Sequence, residues 1–217
     1  MKQLSLLISK FRIMVSRLKG SKLAIGRECF IRDTKMSGNI TVGDHCKLNE
    51  VILTGNITIG RYTSIWGPNA LLIAKINKIK IGKFCSIARN VSFQEFDHNH
   101  KKITTYYMGQ NFFYEKWDNE TVSKGDIEIG NDVWIGANAI ILSGAKVGNG
   151  CIIAANSLVN SNIPDYAIVG GTPAKVLKYR FDDATIKSLQ EMQWWNWDDE
   201  TIRKNKHLFA EEINITG

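Results

Sequence analysis

Two histidines one residue apart, His98 and His100, stand at the head of a stretch crowded with aromatic side chains: Tyr106, Tyr107, Phe112, Phe113, Tyr114 and Trp117. Neutral imidazole titrates near working pH, so it can take a proton from an attacking hydroxyl or amine. Aromatic faces offer a stacking surface for a sugar or similar ring. Glu95 and Asp97, just upstream, could orient an imidazole and fix its tautomer. The remaining histidines, His45 and His207, sit in an early repeat and near the C-terminus. A zinc centre of the three-histidine type needs a third ligand that this spacing does not supply, so no metal is expected. From residue chemistry alone His98 and His100 are equivalent candidates for a base.

The elements that must hold them are legible as a period of six. Aliphatic residues recur at Ile129, Ile135, Ile141, Val147, Ile153 and Val159, often followed by Gly or Ala (Gly130, Gly136, Gly148, Ala154). Four positions after each comes something small or branched: Val133, Ala139, Ala145, Cys151 and Ser157. Upstream, Ile25-Gly26, Val42-Gly43, Ile59-Gly60 and Ile81-Gly82 open repeats in the same phase. Ile31, Leu48, Ile65 and Ile87 follow six positions later, and Leu71 and Phe93 extend two series. A helical stripe recurs at 3.6 and a strand alternates at 2, so neither explains six. A coil with three short sides does, its aliphatic residues converging on one axis and its stacked turns pairing their backbone groups. Cys29, Cys46, Cys85 and Cys151 all fall four residues after an opening aliphatic, which makes them small core hydrophobes.

Three segments lie outside the repeat. Residues 1–22 place Leu4, Leu7, Ile8, Phe11, Met14, Val15 and Leu18 on one helical face among basic residues. This predicts an amphipathic helix, packed on the end of the main domain or making peripheral contact with an anionic membrane through residues 1–20. Lys10 and Arg12 interrupt any signal-peptide core, no run is long and apolar enough to span a bilayer, and the expected location is the cytoplasm or its face of the membrane. An excursion of about 94–125 breaks the coil domain of 23–178, and long excursions from a rigid scaffold carry function. A tail over 179–217 reads as helices, capped at Asp182 or Asp183 and at Asp199 or a neighbour, with Trp194, Trp195 and Trp197 covering the last coil.

The 217 residues are 44% hydrophobic and 23% charged, which suits a globular chain, and the net charge of +7 favours anionic partners. With no zinc-finger spacing, aromatic RNA-binding signature or long basic helix, nucleic acid is not expected. A phosphate-rich cofactor suits the charge equally.

The segment IEIGNDVWIGANAIILSGAKVGNGCIIAANSLVNSNIPDYAIVGGTPAKVLKYRF resembles the C-terminal half of the hexapeptide-repeat acyltransferases. The fit is closest to the xenobiotic-acetyltransferase branch, which includes type B chloramphenicol acetyltransferases and sugar O-acetyltransferases. HNHKKITTYY is similar to that branch's active-site segment, and the tail to its closing helices. The resemblance implies an all-β fold, a left-handed parallel β-helix with helical appendages, assembled as a homotrimer with acetyl-CoA between subunits. It implies His98 as general base, since the family histidine stands six residues before the position of Thr104, with His100 the alternate. It places Trp134 in the pocket for acetyl-CoA and acceptor, Gly136, Ala154 and Ala155 along the pantetheine arm, and Thr172, Pro173, Lys175 and Arg180 toward the adenosine end. Tyr106, Tyr107 and Trp117 are then candidates for acceptor binding. The implied activity is acetyl transfer to a hydroxyl of a sugar or surface polysaccharide. A nucleotide-linked amino sugar or an antibiotic are alternative acceptors, and a non-catalytic scaffold is a reading of another class. Tyr107 and Met108 depart from the Pro-Phe that ends the corresponding segment of the antibiotic enzymes.

Overall fold

A computed structural model describes residues 21–213; the amphipathic stretch of residues 1–20 lies outside them. The chain winds as a left-handed parallel β-helix with three faces. The first face stacks Lys22–Ile25, 39–42, 56–59, 78–81, Ile127–Ile129 and Lys146–Val147. The second stacks Phe30–Arg32, 47–49, 64–66, Ser86–Ile87, Trp134–Ile135, Ile152–Ile153 and Ala167–Gly171. The third stacks 35–37, 52–54, 71–73, Ser92–Gln94, Ile140–Leu142 and Leu158–Val159.

The six-residue aliphatics point inward as the periodicity demands. Ile129 pairs with Val147, Ile135 with Ile153 and Ile141 with Val159, and all six are buried. Each coil's amides meet carbonyls of the next at the corners, as in Gly26 N–H to Val42 O (2.7 Å) and Gly43 N–H to Ile59 O (2.8 Å). The polar backbone is thereby satisfied by stacking rather than by a partner sheet.

The upstream repeats deviate from six for a local reason. Coils related by Lys22↔Asn39 and Ile40↔Ile57 are 17 residues apart (39 − 22, 57 − 40), against 18 for Glu128↔Lys146 (146 − 128). The missing residue is taken from the corner between the second and third faces, where inward Ile31 and Met36, and Leu48 and Leu53, are five apart against six for Ile135 and Ile141. Between the third and first faces Lys35–Val42 and Lys47–Ile59 keep the spacing of six and run on as single bent strands. Gly38 and Gly55 make those bends at φ of +101° and +103°. A Cβ on Gly55 would lie 1.7 Å from the Ala74 carbonyl oxygen, so only glycine fits.

Two expectations need correction here. Leu71 is not the inward residue of its coil. The detour 67–69 opposite Glu50 lengthens that side, and Leu72, fully buried and paired with Leu53 and Phe93, takes the place. Cys29 is only half-buried because, among the described residues, no coil lies beneath the first; Cys46, Cys85 and Cys151 are buried. Burial pushes these three thiols up to about 12, which leaves them protonated and inert.

A hairpin ends the stack: Ala174–Tyr179 returns antiparallel along Ala167–Gly171 and closes the second face's open edge. Helix α1 (Asp183–Met192) is capped by Asp182 and α2 (Asp199–Lys204) by Asp198, each carboxylate accepting from a Thr amide at 2.7 Å. The tryptophans do not cover the last coil. The tail folds back along the corner between the first and second faces, where Trp194 packs on Phe84 at 4.8 Å. There Arg61 binds Asp199 at 2.9 Å and donates to the carbonyls of Trp195 and Trp197. The pull comes from a corner column of rings, His45 on Tyr62 on Phe84, whose positive-φ backbone turns each side chain outward.

Candidate active site

The histidine loop leaves the stack at the corner between the third and first faces, after Ser92–Gln94, and rejoins it at Ile127–Ile129. Its base is anchored before it can project. Glu95 is buried and accepts from the Lys75 and Ile76 amides and the Asn77 side chain at 2.8–3.0 Å. Ser143 donates to Asp97 at 3.3 Å. Above this anchor Asp97–His98 pairs antiparallel with Thr121–Val122. A single π-helical turn, Gly109–Phe113, is held by Glu120, which accepts from the Gly109 and Gln110 amides at 2.7 and 3.4 Å.

His98 lies exposed on this frame with one nitrogen committed. Its Nδ1 is 2.6 Å from the Thr105 carbonyl oxygen. A carbonyl only accepts, so Nδ1 carries the proton and the neutral ring presents a bare Nε2 outward. The orienting partner is therefore a backbone carbonyl and not Glu95 or Asp97, both of which are engaged with the coil. Tyr107 lies flat against the imidazole, with centroids 4.3 Å apart and planes within 3°. The Lys75 ammonium stands over the Tyr107 ring at 5.0 Å and over Phe96 at 5.3 Å. His100 is exposed and, among the described residues, has no hydrogen bond or ring partner.

Beside the His98 strand is a cavity of about 830 Å³ lined by Lys75, Ile76, Gln110, Tyr114–Asp118, Glu120 and Thr121. Trp117 forms one wall, stacked on Phe113 at 5.2 Å, with Lys102 over its ring and its indole N–H bonded to Glu115. Tyr106 is exposed outside this group. The lining charges are Lys75 and Lys116 against Glu115, Asp118 and Glu120, so the cavity is close to neutral in spite of the chain's net charge.

The other half of the predicted set lies elsewhere. Trp134, 55% exposed, projects from the second face between Ser86 and Ile152. Gly136, Ala154 and Ala155 follow at the corner between the second and third faces, where they leave a strip without long side chains. The exposed Ala155 amide has no acceptor among the described residues and is free to meet a ligand carbonyl. Thr172 and Pro173 form the hairpin turn above, Thr172 donating to the Asn156 carbonyl at 3.3 Å, with exposed Lys175 following. In a three-sided prism the second face is opposite the corner that carries His98. One copy does not bring the two groups together.

Arg180 is committed away from this strip. Its Nη1 reaches Asp132 at 2.9 Å and the Gly150 carbonyl at 2.8 Å, and its guanidinium covers Tyr166 and Phe181. Burial pushes the Asp132 carboxyl up and Arg180 opposes it. Arg180→Met is expected to cost roughly 1–3 kcal/mol, below the range of a fully buried pair. A carboxyl whose folded pKa exceeds its unfolded one favours folding while protonated and loses that advantage as pH rises through the folded value. Removing Arg180 raises Asp132 further. The deficit should be smallest in acid and widen toward neutrality, which urea midpoints across a pH series would read.

Comparison with known proteins adds sequence kinship to this geometry. The family model described as bacterial transferase hexapeptide (six repeats) matches residues 126–161. A probable macrolide acetyltransferase of Lysinibacillus sphaericus is 43% identical over 147 residues, covering 64% of this chain and 81% of that protein. A chloramphenicol acetyltransferase of Morganella morganii is 39% identical over 148 residues, covering 65% and 70%. Among solved structures, a mutant of AntD, an N-acyltransferase from Bacillus cereus in complex with dTDP and coenzyme A, shares the fold. Its TM-score is 0.64 at 22% identity over 80% of this chain and 91% of that one.

Proposed function

Because this chain belongs to the bacterial hexapeptide-repeat transferases and is an acyltransferase, we propose that it moves acetyl from acetyl-CoA to a hydroxyl of a carbohydrate acceptor, with His98 as general base. The observation that carries this reading is the His98 tautomer: Nδ1–H is spent on the Thr105 carbonyl, and Nε2 is left as a lone pair. That nitrogen takes the acceptor's proton as the hydroxyl oxygen attacks the thioester carbonyl. The resulting imidazolium returns a proton to the sulfur as the carbon–sulfur bond breaks. Residues of the second face fit the donor: the side-chain-poor strip of Gly136, Ala154 and Ala155, with its free amide, suits an extended pantetheine arm, and Lys175 suits a phosphate.

His98 and this strip lie on opposite sides of one prism, so the site is completed by a second copy in a homotrimer. A near-neutral cavity walled by Tyr114 and Trp117 suits an uncharged, hydroxyl-bearing ring better than an anionic one. A second reading has its own support: the 43% and 39% matches are to macrolide and chloramphenicol acetyltransferases, so an antibiotic hydroxyl is the competing acceptor.

Free-thiol release from acetyl-CoA across neutral sugars, nucleotide sugars, polysaccharides, macrolides and chloramphenicol separates them. Acceleration by neutral glycans or sugars supports the carbohydrate reading. Acceleration by the drugs alone replaces it with the second, and acceleration by amino sugars alone makes the transfer to nitrogen.

A further inference from the structure

Tyr107 has a visible consequence for the base. It puts an aromatic ring parallel to the His98 imidazole at 4.3 Å. One hydrogen bond, to the Thr105 carbonyl, fixes the Nδ1 end of the imidazole but leaves rotation about that contact open; a flat neighbour removes it. The platform is itself held. A parallel imidazole covers one face of the Tyr107 ring, which leaves the other for the Lys75 ammonium, 5.0 Å from its centroid. Lys75 also covers Phe96 at 5.3 Å, and its backbone amide is bound by the buried carboxylate of Glu95. Among the described residues no acidic side chain forms an ion pair with Lys75, so its cation is available to the rings.

We propose that Tyr107 and Lys75 are positioning residues for His98: the tyrosine ring is a platform that aims Nε2, and the lysine, seated on the coil, pins that platform to the β-helix. The inference rests on the assignment of His98 as base. The Tyr107 hydroxyl is buried and has no hydrogen-bond partner among the described residues. The ring and not the hydroxyl is therefore the working part, and phenylalanine should substitute for it. This role differs from acceptor binding, because a platform sets how often the base is aimed and not how tightly the acceptor is held.

Two measurements on the full chain test it. The first is steady-state kinetics with the most active acceptor of the panel above. Tyr107→Leu should lower kcat about tenfold, within the range that small misplacements of a catalytic group produce, with the acceptor KM within about twofold. Tyr107→Phe should restore most of the rate, and Lys75→Met, which also removes a cation from the cavity wall, should lower kcat whatever it does to KM. The second needs no turnover: histidine ring-proton spectra, assigned with His98→Gln. Stacking shifts the His98 resonances upfield, and Tyr107→Leu should release them while Tyr107→Phe keeps them. Unshifted resonances in the wild type overturn the stack. A raised KM with unchanged kcat in Tyr107→Leu overturns the positioning role and makes Tyr107 an acceptor contact. If the spectra show the stack but His98→Gln retains full activity, it is the assignment of the base that has failed.

Discussion

His98→Ala should lower kcat by roughly 10²–10⁴-fold, the usual contribution of a positioned general base, while His100→Ala stays within about threefold of wild type. The contrast follows from geometry two residues apart. His98 has its Nδ1 tied to a carbonyl and its ring stacked on Tyr107, so Nε2 has a defined direction. His100 has neither constraint among the described residues, and an imidazole without a fixed tautomer spends little time correctly aimed. Both side chains are exposed, so His100→Ala should cost no more than about 0.5 kcal/mol of stability, whereas His98→Ala, which loses a hydrogen bond and a ring stack, should cost about 1–2 kcal/mol. Rates at saturating acetyl-CoA, with chemical unfolding of the same preparations, check both statements. Wild-type kcat in His98→Ala combined with a large loss in His100→Ala would transfer the role to the alternate residue.

The coil was readable because its determinants are side chains at fixed intervals. Ile129, Ile135, Ile141, Val147, Ile153 and Val159 are each buried for the same reason, so their spacing carries the architecture. The upstream phase was harder to read where backbone geometry sets the spacing: the tight corners at Asp33 and Glu50, both at positive φ, shorten a coil by one residue. The detour opposite Glu50 lengthens another and hands the inward place from Leu71 to Leu72. At the site, the histidines and aromatics were visible as residue types, but their partners were not. A backbone carbonyl such as that of Thr105 leaves no trace in sequence. Lys75 comes from an earlier coil, and only the fold sets it over Tyr107. Arg180 shows the converse limit. Its place in a recognisable segment suggested phosphates, yet Asp132, 48 positions away, holds it, and nothing local to either residue announces the pair. The tryptophans of the tail suggested a cover for the last coil, and the structure places them against earlier ones. What they cover is decided by the His45, Tyr62 and Phe84 column, whose members are a whole coil apart.

Ile141→Asp should abolish folding, and it tests the phase on which the rest depends. Ile141 is fully buried, stacked between Phe93 below and Val159 above on the third face. Removing the aliphatic side chain alone would cost on the order of 2–5 kcal/mol. The carboxylate that replaces it has no cation inside the column, and even in its protonated form it carries polar atoms with no partner, at a further few kcal/mol. Together these approach or exceed the roughly 5–15 kcal/mol by which a folded domain is stable. Ile141→Val, by comparison, should cost only about 0.5–1.5 kcal/mol. The decisive control is one residue away. Ile140 sits in the same strand with its side chain on the outer surface of the coil, so Ile140→Asp should keep the β-sheet circular dichroism and cooperative unfolding of the parent chain, whatever it does to association between copies. A soluble Ile141→Asp protein with parental circular dichroism, or an Ile140→Asp protein that fails to fold, would mean that the strand's faces are reversed and that the six-residue column does not form the core.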